Sequence, residues 1–317
     1  MQRVLITAIG TMNCTTIISE LRKYKNEYYL IGADINPKNC IANSKDVDEF
    51  YVFPKITDDE QSYYEYIKSF CIDHKVNIIY CVIDEEVVLL SRKKKELHYL
   101  GITLCVANEE AVTLCHDKNL FSHWIENKFP KLSIRRFKEF SEISEADYPV
   151  FIKPIEGRAS IGCKMIRNES ELQIYKSEWD KYLVQEYIQS PIVAVDVVSN
   201  RLTGQVEIAQ RIELLRNSNG CGIAVQIIDN TEIRDYCIKI AEQLQLNGVV
   251  NIEFFITDNG PRIIEINPRI PAGVEYSCLS GLNVVINALL ISKGLPCSFS
   301  PITVGRYYAK RYETISM

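Results

Sequence analysis

Short apolar runs alternate with longer amphipathic segments over the first third of the chain. The apolar runs lie at 4–6, 28–31, 76–82 and 102–106, and two of the amphipathic segments lie at 15–24 and 63–72. Short apolar runs are typical of buried strands, and apolar residues at helical spacing between them predict helices. We therefore predict an α/β domain with a parallel sheet for this part of the chain.

The pattern changes after about residue 110, where predicted strands follow one another with fewer helices between them. These strands lie at 150–152, 164–166, 182–188, 192–198, 205–211 and 223–228. The segment 229–231 provides an N-cap for a helix whose apolar residues recur at helical spacing, and Gly248 is predicted to end that helix. This second part is therefore predicted to be α+β.

The strongest chemical signal is a pair of strands that carry acidic and polar side chains. Glu253 lies in the first strand, and Glu265, Asn267 and Arg269 alternate along the second. Because successive side chains of a strand point to opposite faces, the three alternating residues share one side. The segment 258–260 predicts a hairpin turn, which brings Glu253 to the same side.

Two interpretations of this polar surface stay open. Carboxylate and amide oxygens are ligands that Mg²⁺ accepts alongside nucleotide phosphates, so Glu253, Glu265 and Asn267 are candidate metal ligands. Arg269 presents a planar fork for a phosphate or a carboxylate. The alternative is a hairpin with one solvated, charged face and with Ile264 on its buried side.

A second candidate site begins where an apolar strand ends at Lys153. Pro154 stops the strand, so the lysine is a basic group on a rigid element. Small residues follow, which allow the backbone near Gly157 and Gly162 and the hydroxyl of Ser160 to bind phosphate oxygens. An ordinary turn is the alternative. The later strand at 182–188 runs into a linker whose backbone groups are suited to an adenine edge.

A dinucleotide-binding fold is the rival interpretation of the N-terminal part. The turn after the first strand has one glycine, Gly10, where the dinucleotide fingerprint needs three. Asp34 ends the second strand as a ribose-binding acid would, but alone it is weak evidence. The segment 84–86 is acidic and follows another strand at its carboxyl end, where such sheets bind ligands. The alternative is that these acidic residues form the first turn of a helix, where the helix dipole favours negative charge.

Composition and charge narrow the class of protein. The chain has 317 residues, a formal net charge of −5 and one short basic run, which argues against a nucleic-acid partner. No apolar stretch has the length of a membrane span or signal peptide, so we expect no membrane partner and a cytoplasmic protein. Eleven cysteines without a C-x-x-C pair argue against a disulfide framework or zinc site. All four histidines precede residue 124, so chemistry in the C-terminal half must proceed without imidazole.

This order of parts resembles the ATP-grasp superfamily, and most of all its single-module ligases related to the carbamoyl phosphate synthetase large subunit. The string from Glu265 to Arg269 is the most specific part of the resemblance. It implies an N-terminal, Rossmann-like pre-ATP-grasp domain over 1–110. A two-lobed ATP-grasp domain follows, with a small lobe over 111–190 and a large lobe over 191–317.

The resemblance also implies roles for individual residues. The implied cofactors are ATP and Mg²⁺, with Mn²⁺ as an alternative. The implied nucleotide-binding residues are Lys118, Lys153, Gly157, Ser160, Gly162, Glu186, Tyr187 and Ile188. The implied metal ligands are Glu253, Glu265 and Asn267, and the implied catalytic residues are Arg269, Lys153 and Arg211. The candidates for the substrate pocket are Arg211, Asp196 and the loop 271–275.

The implied activity is that of an ATP- and Mg²⁺-dependent ligase that joins a carboxylate to an amine through an acyl phosphate. Its substrates would be small or peptide-like molecules, and a homodimer is left open. Two alternatives remain: an enzyme of the carbamoyl phosphate synthetase type that phosphorylates a carboxylate or bicarbonate, and a non-catalytic nucleotide sensor. The sequence departs from the family at Ile192, where members commonly carry a glutamate that binds ribose. It also has one module where a carbamoyl phosphate synthetase needs two.

Overall fold

The N-terminal part forms a five-stranded parallel sheet. The computed structural model describes residues 1–24, 26–56, 59–155 and 162–317. The strands are β1 (Gln2–Ile6), β2 (Tyr28–Asp34), β3 (Glu49–Val52), β4 (Ile78–Tyr80) and β5 (Thr103–Leu104), in the order β3-β2-β1-β4-β5. The helices are α1 (Met12–Arg22), α2 (Glu60–Asp73), α3 (Asp84–Arg92) and α4 (Lys94–Tyr99), followed by α5 (Glu109–His116) and α6 (Lys118–Lys128). This is the predicted α/β arrangement.

The middle of the chain forms a small antiparallel sheet. Its strands are β6 (Arg136–Phe137), β7 (Val150–Pro154), β8 (Lys164–Ile166) and β9 (Tyr182–Glu186), in the order β6-β9-β7-β8, and the short helix α7 (Glu169–Leu172) follows β8. Its inner face has its own apolar cluster, which includes Val150, Ile152 and Val184.

The last part forms a six-stranded antiparallel sheet with three helices. The strands are β10 (Ile192–Asn200), β11 (Gln205–Arg216), β12 (Gly222–Ile228), β13 (Gly248–Thr257), β14 (Gly260–Asn267) and β15 (Tyr307–Ala309), in the order β14-β13-β10-β11-β12-β15. The helices are α8 (Thr231–Gln243), α9 (Val274–Ser280) and α10 (Val284–Ser292). A parallel sheet followed by two antiparallel sheets confirms the predicted fold class. The predicted domain boundaries stay a prediction.

The N-terminal sheet packs directly on the large antiparallel sheet and its helices. Tyr80, which is fully buried, donates from its hydroxyl to the carbonyl of Val285 at 3.0 Å. Asn13 at the start of α1 donates to the carbonyl of Ile270 at 2.9 Å. These bonds satisfy polar groups in an otherwise apolar contact, so they fix the N-terminal sheet against the segment that follows β14.

The end of α8 differs from the prediction. The helix ends at Gln243, and Gln245 rather than glycine takes the left-handed conformation, with φ of 48°. Gly248 instead starts β13 with φ of 148°, where a Cβ would lie 2.5 Å from the Cα of Ala107. The glycine is therefore needed for close approach to the N-terminal part, and its assignment as a helix terminator was wrong.

In the described ranges, no individual helix combines the length and apolarity needed to cross a bilayer. Helices α9 and α10 meet those criteria only when taken together across a 95° bend.

Candidate active site

The register of two strands places the two acidic residues face to face. In the β13–β14 hairpin, Glu253 is paired with Glu265, and Asn251 is paired with Asn267. Directly opposed like charges destabilise a sheet unless something neutralises them. The hairpin predicted from the turn segment is therefore present, and its two opposed carboxylates favour a positively charged group beside them.

Two further strands extend this polar face across the sheet. Ala194 on β10 is paired with Glu253 on one side and with Arg211 of β11 on the other. The next row along the same face contains Asn251 and Asp196. Because residues two apart in a strand share a face, this side of the sheet collects the polar side chains. The small side chain of Ala194 separates the acidic pair from the arginine.

The opposite face of the same strands is apolar and packs against α8. Val195, Ile252 and Ile266 are fully or almost fully buried in that core. A β-bulge follows Glu253, where Phe254 is paired with Ile263, and this leaves Ile264 without a partner in the register. Ile263 is therefore the buried residue and Ile264 is only half-buried, so the expectation for Ile264 was wrong.

Glu253 is held by an arginine that sequence reasoning missed. Arg216 lies at the end of β11 and donates from Nη2 to Oε2 of Glu253 at 2.8 Å. Its Nε also lies 2.7 Å from Oε2 of Glu213. Burial and the opposed Glu265 raise the pKa of Glu253, against the effect of Arg216. The sequence shows that Arg216 exists but not the bulge in β11 that aims it.

A chain of contacts leads from Glu265 to the N-terminal sheet. The amide nitrogen of Asn267 donates to Oε1 of Glu265 at 3.0 Å. The amide oxygen of Asn267 accepts from Nη2 of Arg269 at 3.3 Å, and Nε of Arg269 donates to Asp84 at 2.6 Å. In this arrangement the amide oxygen of Asn267 faces Arg269, so as a metal ligand it would have to turn. Asp84 is the residue of the acidic segment that reaches the site.

Two lysines lie on the other side of the acidic pair. Burial lowers the pKa of Lys153, while the charge of Glu265 acts in the opposite direction and that of Lys118 adds to the lowering. Lys118 donates from Nζ to the carbonyls of Pro154 and Ile155 at 3.1 and 3.0 Å. The structure therefore brings both predicted basic residues to the Glu265 end of the site.

The segment predicted to bind phosphates is described only at its end. Gly157 and Ser160 lie outside the described residues. Gly162 has φ of 77°, and a Cβ there would lie 2.8 Å from Cγ of Pro154. A side chain at this position would therefore collide with the residue that ends β7.

The predicted adenine linker directly follows β9. Glu186 ends that strand, its backbone N–H donates to the carbonyl of Arg135, and its carboxylate accepts from the N–H of Arg135 at 3.1 Å. Tyr187 and Ile188 are half-buried and follow without regular structure. A small cleft lies nearby and is lined by residues of α6, the small sheet and β14, including Lys153, Gln185 and Ile264.

Arg211 and Asp196 form a buried ion pair at 2.9 Å, with side-chain exposures of 3% and 1%. Asp196 also accepts from Ser277 at 2.6 Å and from Asn251 at 2.8 Å. The Nε atom of Arg211 has no hydrogen-bond partner among the described residues. A Cβ on Gly273 would lie 2.7 Å from Arg211 Nη2. The structure thus brings the three predicted substrate-pocket elements together.

The donor set can be compared with what Mg²⁺ requires. The described ranges contain no group of three or more His, Cys, Asp or Glu side chains arranged to hold a metal ion. Mg²⁺ in nucleotide sites usually takes one or two carboxylates and completes its coordination with phosphates and water. Glu253 and Glu265 supply two carboxylates in direct opposition, which fits that mode of binding.

The rival dinucleotide site is not supported by the contacts of Asp34. Its Oδ2 accepts from the N–H of Gly10 at 3.0 Å, and its Oδ1 accepts from the backbone and side chain of Asn36. A Cβ on Gly10 would lie 3.1 Å from Asp34. The carboxylate therefore closes the turn after β1 itself.

A parallel-sheet domain, a small antiparallel lobe and a large sheet with an acidic hairpin define the general class of this protein. Residues 115–273 match the family described as ATP-grasp domain, and residues 4–105 match the family described as PylC-like, N-terminal domain. The first match covers half of the chain, and the chain belongs to the ATP-grasp family. The resemblance inferred from the sequence is thereby confirmed.

Relatives in sequence include carbamoyl phosphate synthase large chains from two strains of Saccharolobus islandicus, L.S.2.15 / Lassen #1 and Y.G.57.14 / Yellowstone #1. Each is 25% identical over 217 residues, which cover 62% of this chain and 20% of the relative. The chain therefore spans about a fifth of the length of these curated relatives.

Similar solved structures share the fold at low identity. The biotin carboxylase domain of Hydrogenobacter thermophilus 2-oxoglutarate carboxylase, in complex with MgADP, ADP and bicarbonate, has a TM-score of 0.76 at 18% identity over 96% of this chain and 73% of that one. N5-carboxyaminoimidazole ribonucleotide synthetase from Thermotoga maritima has a TM-score of 0.69 at 18% identity, over 96% of this chain and 78% of that one. L-amino acid ligase from Bacillus licheniformis has a TM-score of 0.68 at 14% identity, over 92% of this chain and 74% of that one.

Proposed function

We propose that this chain is an ATP- and Mg²⁺-dependent ligase that joins a small or peptide-like carboxylate to an amine through an acyl phosphate. The observation that supports this most is the opposed pair Glu253 and Glu265, with Lys153 near Glu265 and Arg216 bound to Glu253. Phosphoryl transfer depends on positioning and on neutralising spread negative charge, and this arrangement provides both.

The roles of the residues follow from their places. Mg²⁺ or Mn²⁺ bound by Glu253 and Glu265, with Asn267 as a third ligand after its amide turns, would neutralise charge on the phosphates. Lys118 and Lys153 lie at the Glu265 end and would bind the phosphates. The residues predicted to contact the rest of the nucleotide are Gly157, Ser160, Gly162, Glu186, Tyr187 and Ile188.

The acyl end of the reaction is assigned to the arginines. Arg269 is held at the site by Asp84 and would stabilise the acyl phosphate. Arg211 is buried beside the loop 271–275 and would shape the substrate pocket. The segment from Gly157 to Gly162 was predicted to bind the phosphates, and all of it except Gly162 lies outside the described residues.

The comparisons support the general chemistry. One structural neighbour is an L-amino acid ligase, and another is an N5-carboxyaminoimidazole ribonucleotide synthetase. The second candidate function is phosphorylation of a carboxylate or bicarbonate without an amine acceptor. It is favoured by the carbamoyl phosphate synthase relatives and by the bicarbonate complex of the 2-oxoglutarate carboxylase domain.

The cysteines bear on the compartment in which the enzyme works. All eleven cysteines are free thiols, which suits a reducing compartment, so we place the enzyme in the cytoplasm. Small molecules are its proposed substrates, and a homodimer stays a prediction.

The test is a screen for ADP release with ATP, Mg²⁺ and pooled carboxylates, including amino acids and bicarbonate, with and without pooled amines. The ligase proposal predicts ADP release that needs both pools and a hydroxamate when hydroxylamine replaces the amines. ADP release with carboxylate or bicarbonate alone favours the second candidate. Nucleotide binding without turnover under every condition would identify a sensor and contradict both.

A further inference from the structure

Arg216 occupies a position that only an irregular strand can provide. In a regular strand, residues 211, 213 and 215 would share a face. The register of β11 shifts between Glu213 and Leu215 and again before Arg216. The shift leaves Leu214 and Leu215 exposed at 48% and 61% and lets Arg216 reach Glu253. Exposing two leucines to water is unfavourable, so the bulge costs some folding free energy. The contact between Arg216 and Glu253 is a reason for the bulge to be present despite that cost.

The two contacts of Arg216 differ in how firmly the carboxylate is held. Glu213 is packed against Gly222, where a Cβ would lie 2.7 Å from its Oε1, and its side chain is nearly buried at 5% exposure. Glu253 faces Glu265 and is a proposed metal ligand. Nε of Arg216 therefore forms an ion pair with a carboxylate that packing holds in place, whereas Nη2 is hydrogen-bonded to a carboxylate that a metal ion would also bind.

The order of charges across the sheet indicates which ligand would replace Glu253. Lys153 lines a cleft with Ile263 and Ile264 of β14, the edge strand that carries Glu265, whereas Arg216 of β11 binds Glu253 on the neighbouring strand β13. The phosphate-binding lysines and Arg216 thus lie on opposite sides of the acidic pair. An anion bound at Arg216 lies on the side of the acyl group rather than on the side of the nucleotide phosphates.

We propose that Arg216 binds the substrate carboxylate and is held on Glu253 until a divalent cation displaces it. The guanidinium stays anchored to Glu213 and exchanges its Nη2 contact from Glu253 to the carboxylate when the metal binds. In the empty site, Arg216 and Glu253 neutralise each other's charge. The site for the substrate carboxylate is completed only when the metal is present. This inference rests on the proposed function, because it takes Glu253 and Glu265 as metal ligands.

The first test uses the metal alone. Mn²⁺ is titrated into the full, nucleotide-free chain and free Mn²⁺ is followed by electron paramagnetic resonance. Since Arg216 competes with the metal for Glu253, Arg216→Gln should bind Mn²⁺ about two- to fivefold more tightly than the unmodified chain, the range expected for losing a half-exposed ion pair. The matched control is Arg234→Gln. Arg234 also contacts two carboxylates, at 3.1 and 3.2 Å, with 30% exposure.

The outcomes of this titration separate the inference from the function on which it rests. Loss of Mn²⁺ binding in Glu265→Gln together with unchanged or weaker binding in Arg216→Gln would overturn the role of Arg216 alone. Mn²⁺ binding that is the same in Glu265→Gln and the unmodified chain, or no binding at all, would overturn the metal site and the inference together.

The second test identifies the anion. Paramagnetic relaxation by bound Mn²⁺ is measured for ¹³C-acetate, as a carboxylate probe, and for inorganic phosphate. Arg216→Gln should weaken acetate binding by on the order of tenfold, the loss expected for a hydrogen bond to a charged group, and leave phosphate unchanged. Lys153→Gln should show the reverse pattern, and Arg216→Lys should recover part of the acetate effect. Unchanged acetate binding in Arg216→Gln, or loss of phosphate only, would contradict the proposal.

Discussion

Arg269 donates from Nε to Oδ1 of Asp84 at 2.6 Å, across the boundary between the large antiparallel sheet and the N-terminal parallel sheet. Asp84 is the first residue of α3 and follows β4 at its carboxyl end. The N-terminal part of the chain thus holds an arginine of the candidate active site. Both side chains are 21% exposed, so the pair is partly shielded from solvent.

The first prediction concerns this contact. Asp84→Asn should leave the fold intact but free the guanidinium, because the charged acceptor is lost. We expect kcat to fall about ten- to a hundredfold, as for outer partners that orient catalytic groups, with the KM for ATP nearly unchanged. The control is Glu60→Gln, which removes the carboxylate of an exposed ion pair with Arg92. Equal losses in the two variants, or a rise in the KM for ATP without loss of kcat, would show that Asp84 does not position Arg269.

The second prediction concerns stability and pH. Glu86 is 5% exposed and accepts hydrogen bonds from Thr7 and from Tyr63, and burial raises its pKa, with Glu85 and Asp34 adding to the effect. A carboxylate with a raised pKa in the folded state contributes its full stability below its unfolded pKa, and this contribution falls as pH rises through the folded pKa. Glu86→Gln should therefore be more stable than the unmodified chain at neutral pH and depend less on pH above the ordinary carboxylate range. Urea denaturation at a series of pH values measures this, and parallel pH profiles for the two proteins would refute it.

The third prediction concerns the nucleotide. Ile192 begins β10 and is paired with Glu213 and Phe255, so no acceptor for ribose hydroxyls comes from its side chain. Hydrogen bonds to a charged acceptor are worth about 1.5 to 3 kcal/mol, or about ten- to a hundredfold in affinity. We therefore expect similar KM values for ATP and 2′-deoxy-ATP, and a sharper preference for ATP in Ile192→Glu. A large advantage for ATP in the unmodified chain would point to another acceptor.

The neighbours of Ile192 limit where such an acceptor could lie. Glu213 lies beside Ile192 in the register but its carboxylate contacts Arg216, and the hydroxyl of Ser190 donates to the carbonyl of Ile256. Loss of the ATP preference in Gln189→Ala would then identify Gln189 as the acceptor.

The fold and the acidic hairpin could be predicted because both are local in sequence. Alternation along a strand and a turn at 258–260 are sufficient to place Glu253 and Glu265 on one surface, and the structure pairs them directly. The parallel sheet likewise follows from apolar runs separated by amphipathic segments.

What could not be predicted depends on irregular register and on contacts between distant segments. The bulge in β11 that brings Arg216 to Glu253 has no sequence signal, since Leu214 and Leu215 look like ordinary strand residues. The role of Gly248 depends on Ala107, which is far away in the chain. The bulge after Glu253 likewise places Ile263 rather than Ile264 in the core, and alternation along the strand could not show it.

The central claim, that Glu253 and Glu265 form the metal-binding centre of a phosphoryl-transfer site, is tested most directly by Glu265→Gln. The substitution keeps the shape of the side chain and removes one charge, and Glu207→Gln, at the other end of the sheet beside Arg234, serves as the control. With the substrates found in the screen, we expect Mg²⁺-dependent ADP formation by Glu265→Gln to fall on the order of a thousandfold, since several kcal/mol of transition-state stabilisation would be lost. Undiminished Mg²⁺-dependent ADP formation in Glu265→Gln would contradict the claim.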